Sequence, residues 1–147
     1  MMKTLKYSEK QIQRSLFYDL NERSVPIIVP NISYSWLYWE ADLISISKAG
    51  YMSEFEIKIS KSDFLKDFKK RKHISLTRPP FNHRIPNYFW YVAPLDAIPI
   101  CIPSYAGLKL VKINKYNNNL HIEDIKKAPL LHKIKVEKRV RLQCLEL

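Results

Sequence analysis

The sequence predicts an α/β domain in which helices flank a mixed central sheet. Two stretches of helical period, residues 8–21 and 60–75, enclose two strands of period two at 40–47 and 51–59. A continuous apolar run at 88–92 follows the second helix and reads as a buried central strand. At 147 residues the chain is long enough for one substantial core, and no composition shift marks an internal boundary, so residues 1–147 are expected to form a single domain.

The elements follow in order. Ser8, Glu9, Lys10 and Gln11 have the form of a capping box, and Ile12, Leu16, Phe17 and Leu20 continue at helical spacing. Glu9, in the first turn, is expected to complement the helix dipole. Residues 25–32 contain Pro26 and Pro30, and because proline cannot donate to a central ladder they read as an irregular or edge strand. The aromatic cluster Tyr34, Trp36, Tyr38 and Trp39 is expected chiefly to pack, with one or two rings lining a groove. Ser60 to Asp63 offers a second helix start, and Phe64, Leu65 and Phe68 form its apolar stripe, so this helix should run to about residue 75. Residues 77–86 are proline-rich and basic, a surface loop with freedom to close over a ligand. A strand at 108–113, a turn at Asn117 to Asn119, a short strand near Leu120 and a helix from Glu137 carrying Val140, Cys144 and Leu145 inward complete the chain.

Composition narrows the function. Lys and Arg number 25 against 14 Asp and Glu, a net charge of +11, which implies a polyanionic partner, nucleic acid before membrane. Nine of the basic residues fall between Lys58 and Arg84 against two acids, Asp63 and Asp67. Two glycines, Gly50 and Gly107, are too few for a phosphate-cradling loop or a dinucleotide fingerprint, which sets aside ATP- and NAD-dependent chemistry. Cys101 and Cys144 have no ligand spacing and are expected to pack. His73, His83, His121 and His132 are scattered, and only His73, on the basic helix, has a phosphate-contact reading. No stretch approaches the ~18 apolar residues of a membrane span, and residues 1–10 lack a signal-peptide core, so a cytoplasmic protein without membrane partner is expected.

The chemistry concentrates in the hairpin. Residues 51–59 place Glu54, Glu56 and Lys58 on one face and Phe55, Ile57 and Ile59 on the other. Lys48-Ala49-Gly50 is a three-residue connector, so Ser47 should oppose Tyr51, Asp42 should oppose Glu56, and Glu40 should oppose Lys58. Opposed side chains have Cβ atoms about 4.5–5.5 Å apart, and like charges there are destabilising. A divalent cation would offset them.

The order helix, strand, Asp-bearing strand, Glu-x-Lys strand, helix, buried strand resembles the core of the PD-(D/E)xK nuclease superfamily. Residues 40–44, 54–64 and 87–94 are similar, within that superfamily, to the MmcB-like DNA-repair proteins, and the likeness covers most of residues 8–113. The resemblance implies a restriction-endonuclease-like fold with an αβββαβ core, and a Mg²⁺- or Mn²⁺-dependent nuclease acting on DNA, in repair or in a phage or mobile-element setting. By position it implies Asp42, Glu56 and Lys58 as the catalytic set, Asp42 and Glu56 as metal ligands, and Glu9 as the further helix ligand some members add. Ala41 stands where the motif's proline would be. Lys61, Lys69, Lys70, Arg71, Lys72, Arg78 and Arg84 are the expected DNA contacts. Relatives of this fold act as homodimers or with a helicase or repair partner. A cleaving site needs a hard cation to activate water, and a lysine beside it stabilises the transition state by about 3–4 kcal/mol. The alternative is a non-catalytic nucleic-acid-binding module that keeps the fold. An interaction protein whose basic surface meets an acidic partner is the weaker third reading.

Overall fold

Local signals set the first elements. The Ser8 side chain accepts from the Gln11 amide while the Gln11 side chain accepts from the Ser8 amide, and this closed box starts helix α1, Glu9–Glu22. The computed structural model describes residues 7–33 and 37–145, the last three by backbone alone. Tyr34, Trp36 and the side chains of Cys144 and Leu145 therefore lie outside the described residues.

After α1 come strands β1, Ile27–Ile32, β2, Ala41–Ile46, and β3, Met52–Ile57. Helices α2, Lys61–Asp67, and α3, Lys72–Thr77, lead to β4, Tyr88–Pro94. A single 3-10 turn at Leu95–Ala97 precedes β5, Ala106–Ile113, β6, Leu120–Lys126, and helix α4, Lys138–Leu145. The six strands form one sheet in strict chain order, β1-β2-β3-β4-β5-β6. Its centre, β3-β4-β5, is parallel, and its two flanks are antiparallel. Proline-bearing β1 is an edge strand, as its missing donor requires.

The β2-β3 hairpin has the register its loop predicts. Ser47 donates to the Tyr51 carbonyl at 2.9 Å, and the ladder runs from Ile46 opposite Met52 to Leu43 opposite Phe55. Gly50 turns the loop at φ +92°, a conformation that costs a residue with a Cβ.

Both faces of the sheet are covered. On one, Ile12, Leu16 and Leu20 of α1 pack on Leu43, Phe55, Ile57, Trp90 and Val92. On the other, Phe64 and Leu76 pack on Phe89, Tyr91 and Ala93, while Val136 and Val140 cover Ile44, Ile46 and Met52. Glu54 and Glu56 stand between those two apolar groups.

The single helix expected at 60–75 is two. Ser60 caps α2 by accepting from the Asp63 amide, but Lys69 and Lys70 bond back to the carbonyls of Lys66 and Asp67 in a tighter turn, and the chain restarts at Lys72. The restart aims Lys72, His73 and Leu76 at the sheet. Residues 78–87 are anchored too: Ile85 is buried, Phe81 stacks on His132, and Asn82 bonds to Tyr38. Cys101 is exposed rather than packed. Among the described residues no helix is long and apolar enough to cross a membrane.

Candidate active site

Asp42 stands one step beyond the last β2-β3 ladder pair. Its Oδ2 accepts the Ile57 amide at 2.8 Å, so the carboxylate, not a main-chain bond, closes this end of the hairpin. Gln13 of α1 donates to the Asp42 carbonyl at 2.8 Å and to Asn31 at 3.0 Å, tying helix and both strands together there. Burial, reinforced by Glu56 and Glu9 and opposed by the Ile57 amide, pushes the Asp42 carboxyl up to about 6. A small cavity of about 160 Å³ opens beside it, lined in part by Glu9, Asn31 and Asp42.

Glu56 and Lys58 lie on the same strand face, as the alternation predicts. The Lys58 ammonium is 3.5 Å from Glu56 and 3.2 Å from Asp67. It is held inward and does not stand against Glu40, which is exposed. The Lys58 amide donates to the Val92 carbonyl at 3.0 Å, so the backbone carrying the Glu-x-Lys triplet is fixed to β4.

Glu54 and Glu56, which share a strand face, are bridged by a lysine. Lys72 Nζ donates to Glu56 at 2.6 Å and to Glu54 at 3.0 Å, and lies 3.8 Å from Asp67. Lys72, expected among the DNA contacts, is instead turned inward and 6% exposed. Burial alone would drive its proton off, but the three carboxylates outweigh burial and hold the ammonium above its ordinary range. Burial pushes the Glu54 carboxyl up even so, because one ammonium is divided between two desolvated acids. The Trp39 indole donates to Glu54 at 2.7 Å and completes its shell.

Asp67 is the residue the sequence reading missed. It is fully buried at the end of α2. Its Oδ2 accepts the Tyr91 hydroxyl at 2.6 Å and pairs with His73 Nε2 at 3.0 Å. Its Oδ1 makes no hydrogen bond, yet the ammoniums of Lys58 and Lys70 stand 3.2 and 3.1 Å away. Burial opposes this charge, but the bond to His73, Lys72, the Tyr91 hydroxyl and Lys58 prevail and hold the carboxyl well below the usual carboxylate range. One signal was available: Asp67 follows Phe64 by three residues and so shares the inward face of the helix.

His73 is not a phosphate contact. It is 8% exposed, and both ring nitrogens are engaged, Nε2 with Asp67 and Nδ1 with the Tyr105 hydroxyl at 2.6 Å. Of the remaining basic residues, Lys61, Lys69, Lys70, Arg71 and Arg78 are at least partly exposed, while Arg84 is half-buried and stacks over Tyr38 at 4.5 Å. Lys70 and Arg71 border a groove of about 460 Å³ whose floor includes Lys72.

Among the described residues no three or more His, Cys, Asp or Glu side chains gather as a ready metal cluster. The donors nonetheless suit a hard cation that keeps most of its own water. Mg²⁺ is commonly held by one or two carboxylates, and Asp42 offers an oxygen not bonded to any described residue, with Glu56 beside it. Glu9, exposed in the first turn of α1, is near enough to raise Asp42 but is gathered into no cluster.

No known protein family and no curated protein matches the chain. Among solved structures it is similar to one described as the SPO1766 protein of unknown function from Silicibacter pomeroyi, with a TM-score of 0.65 at 15% sequence identity. The likeness covers 97% of this chain and 84% of that one, and at this identity it establishes a shared α/β fold with a mixed sheet between helices.

Proposed function

We propose that the chain is a metal-dependent nuclease of the PD-(D/E)xK type acting on DNA, with the restriction-endonuclease-like fold. The observation that carries the reading is the hairpin end: Asp42 beside Glu56, with Lys58 aligned from the same strand face by Glu56 and Asp67. Asp42 and Glu56 would hold Mg²⁺ or Mn²⁺, which when bound supplies a polarised water and neutralises charge on the phosphate. Ile57 fixes one Asp42 oxygen and so aims the other. Asp67 keeps the Lys58 ammonium at a set position, where it can orient the attacking water or stabilise the phosphorane charge. Lys61, Lys69, Lys70, Arg71 and Arg78 supply the positive field that brings a polyanion to an otherwise acidic site.

One observation favours the alternative, a binding module without catalysis: the short bonds from Lys72 to Glu56 and Glu54 satisfy these acids internally. Cleavage of labelled single-stranded, duplex and flapped DNA with Mg²⁺, Mn²⁺ and EDTA separates the two. Metal-dependent cutting that disappears in Asp42→Ala and in Lys58→Ala, with DNA binding retained, is the expected result. Salt-sensitive binding without cutting on any substrate would establish the module instead.

A further inference from the structure

We propose that the groove between Tyr38 and α3 is a single-strand nucleic-acid site in which Tyr38 stacks one base and Lys70 and Arg71 take the flanking phosphates. The inference deepens the nuclease reading by naming the form of its substrate, and rests on that reading for its purpose.

Tyr38 is held but not covered. Asn82 donates to its hydroxyl at 2.7 Å and the Arg84 guanidinium lies over its ring at 4.5 Å, yet the residue is 48% exposed. The ring is thus fixed from two sides while much of it stays open to solvent. Pinning it in advance removes the rotamer entropy that stacking would otherwise cost.

The walls of the groove differ in chemistry. Tyr38 and half-buried Trp39 form an aromatic side, Lys70 and Arg71 before α3 and Ser75 within it form a basic, hydroxyl-bearing side, and exposed Glu40 adds one carboxylate to the lining. Lys70 is 54% exposed with its ammonium 3.1 Å from Asp67, and Arg71 makes no ion pair among the described residues. Aromatic faces beside cationic side chains are what an unpaired strand requires, since its bases present open π-faces and its backbone carries the charge. A duplex keeps those faces stacked inside and offers Tyr38 nothing. The groove also adjoins the proposed reacting site, because Lys72 and Trp39 both line it and both bond to Glu54.

The test is fluorescence anisotropy in EDTA, where nothing is cut. Labelled oligo(dT), oligo(U), a duplex and an abasic strand, all of equal length, are titrated with wild type, Tyr38→Ala, Tyr38→Phe and Arg71→Ala, each checked for folding by circular dichroism. Wild type should prefer the base-bearing single strands over both the duplex and the abasic strand. Tyr38→Ala should weaken single-strand binding by about 5- to 150-fold, the range for one lost base-aromatic stack, and leave duplex binding within about twofold. Tyr38→Phe should keep most of the affinity. Arg71→Ala should weaken all strands alike and lower the salt slope by about 1. Tighter binding of either oligo(dT) or oligo(U) supports the groove. Equal affinity for abasic and base-bearing strands, or a Tyr38→Ala protein that binds as wild type does, would overturn the inference. Selective binding without cleavage in the nuclease assay would leave the groove standing and remove the nuclease reading, and duplex cutting with wild-type single-strand binding in Tyr38→Ala would do the reverse.

Discussion

Asp42→Asn should stabilise the fold at neutral pH while abolishing metal-dependent cleavage. The oxygen of the new carboxamide can still accept the Ile57 amide that Asp42 accepts at 2.8 Å, so the hairpin end stays closed and only the charge is lost. Burial, Glu56 and Glu9 move the Asp42 carboxyl from 3.8 to about 6, and at about 1.36 kcal/mol per pH unit that displacement amounts to about 3 kcal/mol. The side chain is partly exposed, and solvent screening lowers the gain a denaturation curve would return to about 1–2 kcal/mol. For a chain of this size that is about 3–6 °C in Tm. The sign is fixed by proton binding. Between about pH 4 and pH 6 the folded wild type holds a proton that the unfolded chain has released, so its stability falls as pH rises through that window. The variant lacks this loss, so the two proteins should match near pH 4 and separate to the full difference above pH 6. Urea denaturation in EDTA at half-unit steps from pH 4 to 8 measures it. Adding Mg²⁺ at pH 7.5 should then stabilise wild type, by about 2.7 kcal/mol at a hundredfold excess over Kd, and leave the variant unmoved. An Asp42→Asn protein no more stable than wild type at pH 7.5, or more stable by the same amount at every pH, would refute the reasoning.

Asp67→Ala should cost about 3–5 kcal/mol in urea denaturation, since it leaves the inward ammoniums of Lys58 and Lys72 without the carboxylate between them. Because the Asp67 carboxyl is held low, its contribution should be present above about pH 4 and be lost as pH falls below that value, so the deficit of the variant should shrink in acid. Lys72→Met should destabilise by a similar 3–5 kcal/mol at pH 7.5 by leaving Glu54 and Glu56 without their shared ammonium, with part recovered as pH falls, because burial already holds the Glu54 carboxyl up and favours its neutral form. Gly107→Ala would place a Cβ 2.6 Å from the Trp90 ring and 2.7 Å from the Ala128 backbone nitrogen, so thermal unfolding should show a loss of at least about 1–3 kcal/mol, Ala128 being unable to yield as a side-chain tip would.

What the sequence made legible was whatever is decided by short spacing. A three-residue loop ending in Gly50 set the hairpin register, Ser8 and Gln11 set the start of α1, and Pro30 kept β1 at an edge. The apolar run at 88–92, read as a buried central strand, is β4, buried from Phe89 to Pro94. The failures share a physical cause. Lys69 through Lys72 read together as DNA contacts because charge type alone gives no direction, and the tight turn after Asp67 that precedes inward-facing Lys72 leaves no residue signature. Lys72 finds its carboxylates 16 and 18 residues away, on a strand whose distance from α3 depends on packing. The like-charge pair expected from the register, Asp42 with Glu56, is not the one this ammonium bridges, Glu54 with Glu56, and no short spacing announced that second pairing.

The strict chain order of the sheet has a kinetic consequence. Every strand pairs only with the strands immediately before and after it, so none has to be inserted between two that have already joined. The ladder can lengthen from one edge to the other as the chain emerges during synthesis, each step closing only the connection just made. The longest of these closures, from β3 to β4, is spanned by α2 and α3, which shorten it by winding up. Few long-range encounters must be found by search, which favours rapid acquisition of the fold for a sheet of six strands. The acids of β3, the lysines of the crossover and Tyr91 of β4 also fall within one such closure, so the charge network is assembled in the same step that makes the sheet parallel.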